Sequence, residues 1–162
     1  MLAVRYLTRL ALVVWVGGMI LLGAIVAPSA FGVLQASDPV NGRVLAGAVF
    51  GDVLRHFHLV AYGCGLVLAG GLIVMKLVGP PPRAFRVRLA IVAAMLAVAV
   101  YSGVPVTREI EGLQASVHGP IAALPATDAR RVRFDRLHAT STTLMTINLA
   151  LGLALLYWDA RD

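Results

Sequence analysis

Four apolar stretches, roughly Tyr6 to Ala27, Leu59 to Met75, Leu89 to Val106 and Ala139 to Trp158, each approach the ~20 residues that cross a bilayer's hydrocarbon as a helix. The 162-residue chain, with 59% hydrophobic and 14% charged residues, is too apolar for an ordinary soluble core. Every backbone polar group in lipid needs an internal partner, and no stretch shows the alternation of barrel strands, so the segments are read as helices. The expected fold is all-α. It is a single domain over residues 1–162, a polytopic bundle of four transmembrane helices.

The first span imitates a secretory signal, because Arg5 and Arg9 precede an apolar run that ends in the small-residue sequence APSA. That run exceeds the ~7 to 15 residues of a signal's apolar region. Gly17, Gly18 and Gly23, with Trp15 and Met19, also form a surface suited to close helix packing. The segment is therefore retained as the first helix. Arg5, Arg9, Lys76, Arg83, Arg86, Arg88 and Arg161 fall on the side holding both termini, and Arg43, Arg55, Arg108, Arg130, Arg131, Arg133 and Arg136 on the other. The tally is even. Density decides, since the first set sits directly against the spans, where the positive-inside bias is strongest. Both termini are expected to be cytoplasmic, in a multi-pass protein of the inner (plasma) membrane. A net charge of +6 raises nucleic acid as a partner, but the arginines flank apolar spans and no basic soluble face exists. The expected partner is the lipid bilayer and its anionic head groups.

The connections differ in kind. VGPPPRAFRVR, between the second and third spans, reads as a short proline-stiffened turn. Asp38 and Pro39 resemble an N-cap and first helical residue, so NGRVLAGAVF is expected to be helical, at the interface or leading into the second span. REIEGLQASVHG is expected to form a surface helix, and Thr127 to cap the helix that runs through DARRVRFDRLH into the last span.

All four histidines, His56, His58, His118 and His138, fall on the predicted non-cytoplasmic side. His56 and His58 are two apart, so on a regular helix they point in nearly opposite directions. Ala61, Gly65 and Ala69 continue the His58 face as a small-residue ridge for close packing, whereas His56 stacks over Asp52. His138, Ser141, Met145, Asn148 and Gly152 lie within roughly a quarter of the fourth helix's circumference at ~100° per residue. That arc is too polar for lipid and is expected to face the bundle. Inward imidazoles at His58 and His138 would suit a transition metal or the axial positions of haem b, and thioethers at Met19, Met95 and Met145 would favour cuprous copper. The candidate cofactor set is thus His58 and His138, with Met145 as a further metal ligand. Interfacial hydrogen bonding by the histidines and ordinary packing by the methionines is the competing reading. Cys64, the only cysteine, allows neither an intrachain disulfide nor a thiolate zinc cluster.

Enzyme signatures are missing: there is no nucleophile elbow, phosphate-cradling glycine loop or HExxH, and Glu109 and Glu111 are poorly spaced for acid/base work. No catalysis is expected. The chain reads either as a handler of copper or haem or as an accessory subunit of a membrane complex, with a homo-oligomer or a membrane-complex partner.

WVGGMILLGAIVAPSAFGVL, NGRVLAGAVFGDVL and RVRFDRLHATSTTLMTINLALGL resemble, in that order, the patterns of the transmembrane protein 205-like family of small four-helix membrane proteins. WVGG followed by an AP pair resembles, more loosely, the copper-resistance D membrane family. The first resemblance implies a four-helix membrane fold. The second implies metal handling, and neither supplies an active site.

Overall fold

Among the residues that the computed structural model describes, 1–79, 82–117 and 119–161, four long helices carry the chain. These are α1 (Leu2–Ser37), α2 (Gly42–Val78), α3 (Phe85–Ala115) and α4 (Ala129–Asp159), with a 3-10 turn at Ile121–Ala123. The proline turn at Pro80 and Pro81, and His118, lie outside the described residues. No strand occurs among the described residues, and all four helices are long and apolar enough to cross a membrane. The protein is an all-α, multi-pass membrane protein, and each expected span falls inside one helix.

The helices run up and down in sequence order: α1 packs on α2, α2 on α3, α3 on α4, and α4 returns to α1. Trp15, Val92 and Met95 are fully buried at the centre, surrounded by Leu12, Val16, Met19, Ala61, Leu68, Ala99 and Leu155. Outward positions are also apolar, as Leu7, Leu10 and Val13 on α1 and Leu66, Val67 and Ile73 on α2 show. This outer layer is what a surface solvated by lipid tails requires. The ridge Ala61, Gly65 and Ala69 faces inward as its spacing predicted, with Ala61 and Gly65 buried and Ala69 half-buried.

Two wide turns shape the bundle. α1 passes through a π-helical turn at Leu22–Val26 and α3 through another at Ser102–Val106. There Ala27 N–H bonds to the Leu22 carbonyl and Thr107 N–H to the Ser102 carbonyl, each five residues back. Pro28 and Pro105 sit at these turns and lack the N–H that an α-helix would use, so the looser turn lets the helix continue where a proline would otherwise break it. REIEGLQA therefore extends α3 instead of forming a separate surface helix. GRVLAGAVF leads into the second span, one of its two expected placements, as the first part of α2, whose 37 residues reach about 55 Å and outrun the ~30 Å hydrocarbon.

The ends are tied differently. At the termini, Asp159 of α4 receives Arg9 of α1 at 2.8 Å and stands 3.8 Å from the buried Arg88 of α3. Lys76 lies over the Phe85 ring, 4.8 Å from its centroid, joining α2 to α3. At the other end Arg133 of α4 donates to Glu109 of α3 at 2.6 Å. Asp38 accepts from the N–H groups of Val40 and Asn41, shaping the turn ahead of α2, which starts at Gly42.

The cap of α4 is Asp128, not Thr127: its carboxylate accepts from Arg130 N–H at 2.8 Å. A carboxylate is the better cap here because the Arg130 guanidinium folds back onto it at 2.9 Å. Hydrogen bonding from the Arg130 side chain, then from its backbone, lowers this carboxyl to about 2 from an ordinary value of 3.8. A depressed folded-state value stabilises the fold above the unfolded value, and the contribution is lost as pH falls through the folded one. Asp128→Ala should therefore melt below the parent protein at neutral pH, and the gap should close as pH approaches about 2. Thermal melts across that range are the check; a gap independent of pH would assign it to something other than this charge.

Candidate functional site

A cavity of about 40 Å³ lies between the four helices on the side of the core nearer the α1–α2 connection. α1 contributes Trp15 and Met19; α2 contributes Leu54, Phe57, His58 and Ala61; α3 contributes Val98, Ala99 and Ser102; and α4 contributes Ser141, Leu144, Met145 and Asn148. Three of the five residues on the arc read from α4, Ser141, Met145 and Asn148, thus meet His58 at one place, and Gly152 is buried further along.

His58 is half-buried, and its Nδ1 lies 2.8 Å from the Leu54 carbonyl one turn back. A carbonyl oxygen only accepts, so Nδ1 carries the proton and Nε2 keeps its lone pair. Imidazole ligands of metals are commonly oriented this way, with one nitrogen donating to a backbone carbonyl and the other presented. Gly103 makes room for the ring and for the Tyr62 hydroxyl: a Cβ at that position would press on that hydroxyl and come within 2.6 Å of His58 Cδ2 and 2.8 Å of Cγ. Tyr62, one turn further along α2, donates its hydroxyl to the Ala99 carbonyl at 3.3 Å and holds α2 against α3 beside the wide turn. His56 lies where helix rotation put it, exposed, with Nδ1 2.9 Å from the Asp52 carbonyl.

His138 departs from expectation. It is exposed, does not line the cavity, and stacks on Phe134 with ring centroids 6.3 Å apart and planes within 10°. The buried face of α4 is centred on Leu137, Asn148 and Leu155, and His138 stands roughly 90° from that centre at ~100° per residue. The structure therefore does not bring His58 and His138 together. Met95 is also displaced from the expected thioether set: it is fully buried outside the cavity lining, and its carbonyl accepts from Asn148 Nδ2 at 3.3 Å.

The imidazole and thioether side chains that do line the cavity are those of His58, Met19 and Met145. No group of three His, Cys, Asp or Glu side chains suited to a metal occurs among the described residues. Soft sulfur with imidazole suits cuprous copper better than zinc or calcium, whose sites draw on thiolates, several imidazoles or carboxylates. Sequence reasoning overlooked Ser102 and Tyr62. Ser102 had a signal, since Arg88, Val92, Met95, Ala99 and Ser102 recur at helical spacing and are all buried.

No curated protein and no solved structure matches the chain. One family model does, over residues 10–118, which takes in Met19, His58 and Ser102 but not the α4 side of the cavity. That match does not show the transmembrane protein 205-like or copper-resistance D similarity. It covers more than half of the chain, which therefore belongs to the family described as Domain of unknown function (DUF4149).

Proposed function

We propose that this multi-pass membrane protein is non-catalytic and holds a cuprous ion in the cavity beside His58. The observation that carries the reading is the convergence of His58, Met19 and Met145, from three helices, on one cavity. The lone pair on His58 Nε2 is free to bind because Nδ1 is held by Leu54. The looser sequence resemblance to the copper-resistance D family points the same way. A cavity of about 40 Å³ suits a single ion and is far too small for a porphyrin, and the second axial histidine that haem would need faces outward.

The reading places the protein in the inner (plasma) membrane with both termini cytoplasmic, supported by the dense basic flanks of Arg5, Arg9 and Lys76 to Arg88. A C-terminal reporter fusion should give the cytoplasmic signal, and a periplasmic signal would reverse the orientation. The ligand is tested by titrating purified protein with cuprous ion against a chromogenic chelator under reducing conditions. One copper per chain supports the reading. No competition with the chelator would leave the accessory-subunit alternative, in which the histidines are interfacial groups.

A further inference from the structure

Asn148 is 5% exposed, and its amide is only half satisfied. Nδ2 donates to the Met95 carbonyl across the α3–α4 interface, while Oδ1 is buried with no hydrogen-bond partner in the protein. A buried acceptor left bare costs about 1–3 kcal/mol, so native structures rarely tolerate one without a partner of some kind. Asn148 lines the cavity that also receives the Ser102 and Ser141 hydroxyls and His58.

We propose that the polar side of this cavity is an internal water site, held by Asn148 Oδ1 with Ser102, Ser141 and His58 as the other hydrogen-bonding groups. The volume agrees: about 40 Å³ is room for roughly three waters, since one needs ~10–15 Å³ and two to four polar partners. Ser141 supports the assignment by contrast with its neighbours. Thr140, Thr142, Thr143 and Thr146 each bond the carbonyl four residues back, whereas Ser141 turns to the cavity. The hydration is one-sided. Beyond the cavity the fully buried Val92 and Met95 form an apolar layer. The site requires no bound metal, and it stands or falls separately from the copper reading.

X-ray hydroxyl-radical footprinting of the metal-free full chain in lipid nanodiscs tests it, because side chains beside internal water are oxidised and dry ones are spared. Met145 should be converted to sulfoxide several times faster than Met95, and Asn148→Leu, which keeps the bulk and removes the acceptor, should bring Met145 down to the Met95 rate. Equal rates at Met145 and Met95 in the parent protein would overturn the proposal, as would an Asn148→Leu protein that labels at the parent rate. If Asn148→Leu does not fold, Ser141→Ala takes its place and should lower Met145 labelling at least twofold; an unchanged rate there would also overturn it. Copper binding without Met145 labelling would refute the water site alone, and labelling without copper binding would refute the copper reading alone.

Discussion

Gly65→Leu should prevent the bundle from assembling, while Gly63→Leu, two residues away on the same helix, should leave it intact. The contrast is geometric. A Cβ on Gly65 would approach Leu96 Cγ to 2.6 Å and Trp15 Cζ3 to 3.0 Å, and Trp15 is fully enclosed with nowhere to retreat. A Cβ on Gly63 meets nothing within 4 Å, because that face looks outward. Overpacking a filled core costs about 3 kcal/mol at the upper end of its usual range, and a leucine wedged against the Leu96 and Trp15 side chains lies at that end. Melting curves in mild detergent should show no cooperative transition for the Gly65 variant and a parent-like one for Gly63→Leu. A normal melt for Gly65→Leu would mean that α2 does not pack on α1 and α3 as described.

His58→Ala should remove cuprous binding, with His56→Ala and His138→Ala as silent controls. The imidazole would be a direct ligand, so its loss should exceed the roughly 10- to 100-fold penalty that follows removal of a mere orienting partner. Met145→Leu should weaken binding to a lesser degree, because Met19 stays in place on the neighbouring α1. Gly103→Ala is a further probe: it adds no charge and deletes no ligand, yet its methyl would press on both the His58 ring and the Tyr62 hydroxyl, and it should weaken binding. Chelator competition on these variants gives the answer. Loss of affinity in His138→Ala comparable to that in His58→Ala would mean that α4 is rotated from the orientation seen here.

The four spans were legible because hydropathy is additive over ~20 residues and indifferent to packing. Their ends were not. Pro105 reads locally as the close of a helix, and only the wide turn around it shows that α3 runs on to Ala115. Orientation about each helix axis was legible where several residues agreed: Ser141, Met145, Asn148 and Gly152 fix a common inward direction, whereas His138, at the edge of their arc, was decided by the surface available to it against Phe134. Arg88 was counted among the flanking charges because a hydropathy sum does not register direction. Its own spacing with Val92 and Met95 put it on the inner face, where Asp159 draws it. Gly103 carried no local signal at all, since its role depends on a ring supplied by another helix.

The two wide turns also divide the chain into reading phases. A π turn holds one residue more than the α-helical turn it replaces, so the segments before and after it are offset by about 100° from a straight helix. Deleting a single residue within Leu22–Val26 or Ser102–Val106 would restore the ordinary period and swing the whole distal part of α1 or α3 to a new face. On α3 that swing would carry Glu109 away from Arg133 while leaving Val92 and Met95 seated. Insertions and deletions in this protein are thus not equivalent to loop edits. Those two five-residue windows set the alignment between the anchored half of each helix and the half that meets the far surface.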